Sequence, residues 1–584
     1  TTIGDNILVK NIGTFIRNYK IEDDTAVINT GTLHASKDAS FGHGVRVEVI
    51  NEGGGREVAL THTLSSQTAF IMAMYRSNPV LVKRLEEIIE KDTELVMGKG
   101  GIIGKGSRII NCGRIKDVYI GGYSLLEQVT RLENGYISSS ADDPVFVGSG
   151  VNAENFIFLS GSSVDSGSLL SKVFVGQGCR IGKQFSAENS LFFANCEGFH
   201  GEAVSIFAGP YSVSHHKSTL LIAFQYSFYN AGSATNASNH MYKLGPVHQG
   251  ILERGCKTGS FSYLLLESHL APFSVVIGKH HSNIDVSKFP FSYLTEIKGE
   301  TYITPAMNLF TVGTKRDGEK WILRDRRKDS DKRDIIMPQV FSPFTVERMR
   351  CARDSLAVLF NTTPREVKYV NIGGAKLSRL LIKNSRRYYE LGISFYITTS
   401  LVNKLAGILE ESDDIIAIEK VFPSTTDGET EWLDLSGMLV PRLLVEKLIN
   451  DILDGRIDSM NSILESLRNT AGQYPELEWA YILQIIKDDY NTDFNSWPNV
   501  LKFLDGYSGN AAKFYNMIIS DAHKEFEDFA RIGYGLDGLP RQIEADFEAV
   551  RGTVDNNKTI IKLKAEAREF DDKVKKIINK LKTF

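Results

Sequence analysis

The chain has 584 residues and a mass of 65.0 kDa, so at about 100–200 residues per domain it holds two to four domains. With 42% hydrophobic and 24% charged residues, the composition excludes a disordered, collagen-like or membrane-spanning chain. The formal net charge of −4 gives no basic excess that would point to nucleic acid, and the sequence has no apolar run of eighteen or more residues, so we expect neither a nucleic-acid nor a membrane partner. The five cysteines include no Cys-x-x-Cys pair, which favours a reducing, cytoplasmic location.

An apolar or aromatic residue recurs every six positions in the N-terminal half. The series are Ile3, Val9, Phe15, Ile21, Val27; Ile103, Ile109, Ile115; Val147, Ala153, Leu159; Val175, Ile181, Ala187; and Leu265, Ala271, Ile277. A period of six fits neither a helix nor a single strand, and it indicates a β-solenoid in which three short strands form one triangular coil. The apolar residue points into the core, and a following glycine, as in Ile103-Gly104 and Val147-Gly148, lets the backbone turn the corner.

These hexads resemble the hexapeptide-repeat, left-handed parallel β-helix superfamily over roughly residues 1–300. The best-known members are cytoplasmic acyltransferases that assemble as trimers. The resemblance therefore implies a left-handed parallel β-helix over residues 1–310, a homotrimer, and an acyl-CoA such as acetyl-CoA as co-substrate. The whole chain also resembles large hexapeptide-repeat proteins of Bacteroidetes, a resemblance that implies the architecture alone.

Three further segments follow from composition and spacing. Gly53-Gly54-Gly55 interrupts the hexads and introduces apolar residues at helical spacing, which predicts a helical insertion at about 53–95. Lys315 to Asp334 holds nine basic and six acidic residues, which is typical of a solvated connector, here 311–344, or less often of a phosphate-binding patch. Residues 345–584 show repeated helical spacing and predict an all-α domain.

Histidines are concentrated in one part of the chain. Eight of the twelve lie between His200 and His281, where the hexads become irregular and polar. Because titratable groups that interrupt a regular fold often mark the place of function, we expect the site in this window, at a trimer interface.

The segment 238–246 is the first candidate. Acyl transfer from a thioester needs a base of near-neutral pKa, which His240 supplies, and an oxyanion partner, which Asn239 or Lys243 supplies. The string Asn-His-Met-Tyr-Lys-Leu-Gly is similar to the segment around the catalytic histidine of the acetyltransferase domain that acts on glucosamine-1-phosphate. That resemblance implies His240 as the base and Tyr242 as a substrate contact. The alternative is that His240 is an ordinary polar residue of a coil.

His215, His216 and Lys217 form the second candidate. Consecutive residues of a strand point to opposite faces, so only one of the two histidines shares a face with Lys217. We assign His216 a catalytic role and His215 a binding role. Lys217 and Lys243 are candidate contacts for a phosphate or for the pyrophosphate of coenzyme A, and His248 is a further binding candidate.

These observations predict an acyltransferase-like enzyme that moves an acyl group from acyl-CoA to a sugar, amino-sugar or nucleotide-sugar acceptor. One alternative is a non-catalytic binding or scaffold protein on the same fold. A second is a zinc site like that of γ-class carbonic anhydrases, with ligands from His200, His215 or His216, His240 and His248. The separations of these histidines match no metal-ligand spacing, so no metal is predicted.

Overall fold

The computed structural model describes residues 1–239, 243–411, 418–422 and 428–582. Strands dominate up to residue 304, and helices dominate from residue 312 onward. The paired strands before residue 293 run parallel, apart from a small hairpin, and stack coil upon coil. The predicted parallel β-helix followed by a helical C-terminal part is therefore confirmed.

The strands of the first half are β1 (Thr2–Ile3), β2 (Leu8–Arg17), β3 (Tyr19–Ile21), β4 (Ala26–His34), β5 (Arg46–Glu48), β6 (Glu57–Ala59), β7 (Gly101–Ile103), β8 (Arg108–Ile110), β9 (Arg114–Ile120), β10 (Leu125–Glu127), β11 (Arg131–Ile137), β12 (Phe146–Val147), β13 (Asn152–Phe158), β14 (Ser163–Val164), β15 (Leu169–Val175), β16 (Arg180–Gly182) and β17 (Ser186–Phe192). The solenoid continues with β18 (Glu197–Phe199), β19 (Glu202–Val204), β20 (Phe207–Ala208), β21 (Val213–Ser214), β22 (Leu220–Ile222), β23 (Phe224–Tyr226), β24 (Asn230–Ala231), β25 (Asn236–Ser238), β26 (Gly250–Leu252), β27 (Lys257–Thr258), β28 (Tyr263–Leu265), β29 (Ser268–Leu270), β30 (Val275–Ile277), β31 (Lys279–His280), β32 (Ile284–Val286), β33 (Tyr293–Ile297) and β34 (Glu300–Thr304).

The stacked strands form three ladders, one for each side of a triangular prism. One ladder contains thirteen strands, namely β2, β4, β8, β10, β12, β14, β16, β18, β21, β24, β27, β30 and β33. At about 4.8 Å between neighbouring strands, this ladder is roughly 60 Å long.

In its most regular part, one coil spans seventeen residues rather than three full hexads. Val147, Val164 and Ile181 are register neighbours seventeen residues apart. The inward positions of one coil are Val147, Ala153 and Phe158, so one side is a residue shorter than the other two. The strict period of six therefore placed the third core position at Leu159, one residue too late.

Asparagine, rather than glycine, turns one of the three corners. Asn134, Asn155 and Asn189 occupy this corner with left-handed backbone, with φ of 50°, 55° and 46°, and Lys172 takes the same place in the coil between Asn155 and Asn189. The Nδ2 of Asn134 donates to Oδ1 of Asn155 at 2.8 Å. Asparagine tolerates this conformation because its short polar side chain bonds locally, and here it bonds along the stack.

The glycines that follow core residues have a different function from the predicted one. Gly104 and Gly148 do not have positive φ, but a Cβ on Gly104 would meet the backbone of Gly122, and a Cβ on Gly148 would meet the carboxylate of Asp165. These glycines are required because the next coil passes very close to them, not because the backbone turns there.

The first coil does not bury its core positions. Ile3, Val9 and Phe15 are 62%, 39% and 44% exposed, whereas Ile21 and Val27 in the next coil are buried. Ile3 and Val9 are level with the core residues Ile21 and Val27, so their inward direction is correct, and they are exposed because no coil of the described chain stacks on that side. The prediction is wrong by one residue at Phe15, which pairs with the outward Thr32, while its neighbour Ile16 pairs with the core residue Leu33.

The last predicted series is wrong by one residue at two positions. Leu265 is half-exposed and Ile277 is exposed, while their neighbours Leu264 and Val276 lie in the core. The coils there contain sixteen or eighteen residues between register partners, so a fixed period of six loses the register.

Residues 35–100, which we call the excursion, leave the solenoid and cover one of its sides. They contain the hairpin β5–β6 and the helices α1 (Ser66–Met74) and α2 (Pro79–Val96). Pro79 at the first position of α2 separates the two helices, and the Ser65 side chain caps α1. Phe70 of α1 packs edge-on against Phe207 of the solenoid, with 6.2 Å between ring centroids.

The charged segment is not a solvated connector. After helix α3 (Val312–Leu323), residues 324–341, which we call the strap, lie along the solenoid. Asp334 is buried and accepts hydrogen bonds from the backbone N–H groups of Ser66 and Ala194, both at 2.7 Å. Arg326 bonds to the carbonyl of Gly178 and the carboxylate of Glu197. Hydrogen bonds and ion pairs with the corners of the solenoid thus compensate many of the strap's charges.

The rest of the chain is mainly helical, with two short hairpins. Its elements are α4 (Pro343–Thr362), β35 (Tyr369–Ile372), β36 (Ala375–Ser378), α5 (Arg379–Glu411), α6 (Ile418–Val421), β37 (Trp432–Leu435), β38 (Met438–Pro441), α7 (Arg442–Leu453), α8 (Met460–Gly472), α9 (Tyr474–Tyr490), α10 (Trp497–His523), α11 (Pro540–Arg551) and α12 (Lys558–Leu581). Phe395 of α5 stacks on Phe514 of α10 at 4.1 Å. β36 pairs with β34 and joins this part to the end of the solenoid. Among the described helices, none combines the length and the apolar character that crossing a bilayer requires.

Candidate functional site

A polar groove lies where the solenoid, the excursion and the helical part meet. Its floor is formed by Ile251, His269 and Asp285, which are register partners on β26, β29 and β32 and point outward from the prism. The groove encloses about 570 Å³. That volume lies within the usual range for sites that bind small molecules.

The excursion and the loop after β25 form one wall of this groove. Asn51 donates from Nδ2 to the carbonyl of Val247 at 2.8 Å, and Arg56 donates from Nε to Oε1 of Gln249 at 2.9 Å. Hydrogen bonds therefore join the excursion to the loop after β25 beside the floor, although the two segments are almost 200 residues apart in the chain. This wall does not exist in the solenoid alone.

His269 is held in the groove by a carboxylate. Its Nε2 lies 2.8 Å from Oε1 of Glu253, and since a carboxylate only accepts, this nitrogen carries a proton. Arg348 of α4 lies 3.0 Å from the same oxygen, and the Glu253 side chain is only 10% exposed. Within the described chain, Nδ1 of His269 has no hydrogen-bond partner, so it is the nitrogen left to accept a proton.

Two further carboxylates line the groove. Oε1 of Glu267 lies 3.4 Å from Nδ1 of His248. Asp285 accepts the hydroxyl of Ser287 at 2.7 Å and the backbone N–H of the same residue. Partial burial acts to raise the pKa of Asp285, but these two hydrogen bonds and the nearby imidazole of His269 outweigh it and lower the pKa, so this carboxylate is ionised at neutral pH.

The first sequence candidate is only partly accessible to test. His240 and Tyr242 lie outside the described residues. Asn239 is buried, and its Nδ2 donates to Glu52 of the excursion at 2.6 Å, which gives it a structural contact. Lys243 is exposed, and His248 borders the groove through its contact with Glu267. Neither Asn239 nor Lys243 lines the groove.

The second candidate lies on another part of the solenoid. His215 bonds through Nε2 to the carboxylate of Glu197 and stacks on Phe199, with ring centroids 5.7 Å apart. Burial acts to raise the pKa of Glu197, but the His215 hydrogen bond and the charge of Arg326 together hold that pKa below its usual value.

His216 and Lys217 are exposed beside this pair, and the His215 and His216 rings are 6.4 Å apart. The expectation that only one of the two histidines shares a face with Lys217 assumed a strand, but residues 215–219 form a loop in which His215, His216 and Lys217 are all exposed. No described contact joins this cluster to the groove.

Sequence reasoning missed His269 and its partners. His269 belongs to the histidine-rich window, but no motif surrounds it, and Glu253, Asp285 and Arg348 are spread over almost 100 residues. A usable signal did exist, because His269 and Asp285 are separated by sixteen residues, which is one coil of the solenoid. Polar residues spaced by one coil length occupy neighbouring positions on the same side of the prism.

The histidines do not gather around a metal in the described part of the chain. Within residues 1–239, 243–411, 418–422 and 428–582, no three His, Cys, Asp or Glu side chains are arranged to hold an ion. The carbonic-anhydrase-like alternative depended partly on His240, which lies outside these ranges.

The molecule is a parallel β-solenoid protein with a helical C-terminal part, and its excursion helps to line a histidine–carboxylate groove on the solenoid. The chain belongs to the family described as "Domain of unknown function (DUF4954)", which matches residues 1–360. A second family, "Domain of unknown function (DUF6819)", matches residues 412–581. A protein of Treponema pallidum (strain Nichols), described as "Uncharacterized protein", is 25% identical over 536 residues, which cover 81% of this chain and 70% of that relative.

Proposed function

We propose that this protein is an acyltransferase-like enzyme that moves an acyl group from acyl-CoA to a sugar, amino-sugar or nucleotide-sugar acceptor, and that the reaction takes place in the groove around His269. The observation that carries the proposal is the aligned set of His269, Glu253 and Arg348 beside a groove of about 570 Å³. We therefore propose His269, rather than His240, as the base of the reaction.

The chemistry follows from the tautomer that Glu253 imposes. With its proton on Nε2, His269 presents the Nδ1 lone pair as a base for the acceptor nucleophile. Glu253 stabilises the imidazolium that forms, and Arg348 fixes the carboxylate in position. The thioester carbonyl is then attacked, and the proton held by His269 passes to the departing thiolate.

Lys243 gives the donor a plausible anchor outside the groove. It is exposed on the loop that forms one wall, and as a point charge it suits a phosphate of coenzyme A. Lys217 lies on the other cluster, so the two lysines do not form a joint phosphate site with a described contact. The groove then needs to accept only the thioester end of the donor.

Oligomeric state and location remain predictions taken from the resemblance. Four of the five cysteines are buried as free thiols, which suits the cytoplasmic location that we propose.

The test begins with binding of acetyl-CoA. A ligand that binds the folded chain raises its melting temperature, so millimolar acetyl-CoA is expected to raise Tm by several degrees, whereas a scaffold protein shows no shift. Release of free thiol from acetyl-CoA with a panel of sugars and amino sugars then measures turnover.

His269→Asn provides the decisive variant, and His215→Asn is its matched control, because both histidines bond to a glutamate on the surface of the solenoid. Loss of the base is expected to lower kcat about 100-fold or more in the first variant and to leave it unchanged in the second. Equal activity of the two variants, or no Tm shift with acetyl-CoA, contradicts the proposal.

A further inference from the structure

The charges that line the groove select among the acceptor classes. The side chains around its floor and walls include the carboxylates of Glu267 and Asp285, together with His269. Among the described residues that line the groove, none is a lysine or an arginine. A phosphate or a carboxylate entering this space would meet these two carboxylates, while the cations of Arg56 and Lys288 lie outside the lining.

The buried charges behind the floor do not change this balance. Glu253 is paired with Arg348, so the two together add no net charge. His248 faces Glu267 at 3.4 Å, and His269 faces Asp285 from the neighbouring strand. The described lining of the groove therefore carries two carboxylates and neither a lysine nor an arginine.

We infer that the acceptor is an unphosphorylated amino sugar whose ammonium group is bound by Asp285 and Glu267, an inference that rests on the proposed function. Asp285 uses only Oδ1 for Ser287, and within the described chain its Oδ2 is without a partner. Asp285 is also the register neighbour of His269, so an ammonium held by its carboxylate lies beside the base.

The rim of the groove provides hydrogen bonds for the hydroxyl groups of a sugar. Gln249 uses its Oε1 to accept from Arg56, and Asn283 uses its Nδ2 to donate to the carbonyl of Glu267. Within the described chain, the second amide atom of each side chain has no partner. One donor and one acceptor are thus left at the rim, which suits hydroxyl groups that both donate and accept.

The reaction balances as an N-acylation. The bound ammonium first releases one proton to solvent and becomes an amine. The amine nitrogen attacks the thioester carbonyl, so a C–N bond forms and the C–S bond breaks. The second proton passes from nitrogen through Nδ1 of His269 to the departing thiolate, and the products are an amide and free coenzyme A.

The experiment compares D-glucosamine with D-glucose, which differ only by an amine in place of one hydroxyl. Binding of each sugar to the full chain is measured by titration calorimetry at low salt. Glucosamine is expected to bind at least about tenfold more tightly than glucose, since a hydrogen bond to a charged group is worth about that factor. Equal affinities overturn the inference, and so does a failure of glucosamine to bind at all.

Variants then locate the ammonium. Asp285→Asn and Glu267→Gln keep the size of each side chain and remove its charge, and each is expected to weaken glucosamine binding about tenfold. Glu202→Gln is the matched control, because Glu202 is an exposed carboxylate on a different side of the prism. Unchanged affinity in both groove variants, or an equal loss in the control, overturns the inference.

The two proposals fail in different ways. If glucosamine binds and its affinity depends on the two carboxylates, but no coenzyme A is released, the ammonium site is supported and the proposed acyl transfer is overturned. Transfer that requires His269 but proceeds equally well to glucose or to glucosamine 6-phosphate keeps the acyltransferase and overturns the amino-sugar inference.

Discussion

At the scale of single residues, a second histidine arrangement lies away from the groove. Nδ1 of His43 is 3.0 Å from the carbonyl of Ser40 and so carries the proton, which leaves Nε2 to accept from Nδ1 of His62 at 2.8 Å. His62 stacks on Tyr136, which stacks in turn on Tyr119. The two neutral imidazoles of the excursion thus bond to each other and pack against Tyr136 of the solenoid.

This pair makes stability depend on pH. Burial lowers the pKa of both imidazoles, that of His62 to about 3, where the neighbouring charge of His43 adds to the effect. Asp92 and Arg333 are the charged groups that face the pair. In the unfolded chain both histidines take up protons near pH 6.5, whereas in the folded chain they stay neutral to lower pH. The free energy of unfolding is therefore expected to keep the full contribution of this pair above pH 6.5 and to decrease as the pH drops toward 3.

His62→Gln removes one of these titrations and is expected to make the fall of Tm between pH 7 and pH 4 shallower. His216→Gln is the control, because His216 is exposed and forms no such pair. Thermal unfolding followed by circular dichroism at a series of pH values measures the difference. Parallel curves for the wild type and the His62 variant would show that the pair does not titrate on unfolding.

At the scale of elements, the stability of the solenoid depends on which of two adjacent residues points inward. Leu170 lies in the core between Ala153 and Ala187 of the neighbouring coils, so one large side chain fills the layer between two small ones. Leu169, the preceding residue on the same strand, is 55% exposed. Two leucines of equal hydrophobicity thus differ only in the side of the strand on which they lie.

Leu170→Ala is expected to lower the free energy of unfolding by about 2–5 kcal/mol, because the neighbouring alanines cannot fill the cavity. Leu169→Ala is expected to change it by less than about 0.5 kcal/mol. Urea unfolding followed by fluorescence compares the two. A larger loss in the Leu169 variant would mean that the register of this strand is shifted by one residue.

At the scale of the whole molecule, the strap joins parts that are distant in the chain. Asp334 accepts N–H groups from the excursion at Ser66 and from a solenoid corner at Ala194. Burial raises the pKa of this carboxylate, and only its hydrogen bonds and the charge of Arg327 offset that penalty. The buried carboxylate therefore links the excursion, the solenoid and the helical part at one point.

Asp334→Ala leaves two buried N–H groups without acceptors and is expected to cost about 2–5 kcal/mol. The strap contains several lysines and arginines, so its release also exposes sites for trypsin. Limited proteolysis is expected to cut this variant within 324–341 under conditions that leave the wild type intact.

Asp331→Ala is the control for the strap, since Asp331 is half-exposed and forms surface ion pairs with Arg333 and Arg468. Surface pairs of this kind contribute at most about 1 kcal/mol. Equal cutting of the two variants would argue that Asp334 does not hold the strap in place.

The sequence by itself determined the solenoid, because a core residue every six positions leaves few other ways to bury that side of each strand. It also determined the helical part and the histidine-rich window. Local spacing did not determine the length of a coil, which is seventeen residues in the regular region, and so the period of six was wrong by one residue at Phe15, Leu159, Leu265 and Ile277. Of these four, only Leu159 is buried. An error of one residue turns a side chain to the opposite face of a strand.

The site and the place of the charged strap depend on contacts between segments that are distant in the chain. His269, Glu253 and Arg348 are brought together by coil stacking and by docking of α4, and neither leaves a local pattern. Asp334 is buried because the excursion and a corner of the solenoid offer it N–H groups from distant parts of the chain. Arg327 is buried beside it and bonds to Asp325 and to the carbonyl of Asp334 within the strap itself. Periodicity fixes what is repeated along a chain, whereas a groove built from three distant segments depends on contacts that no local spacing encodes.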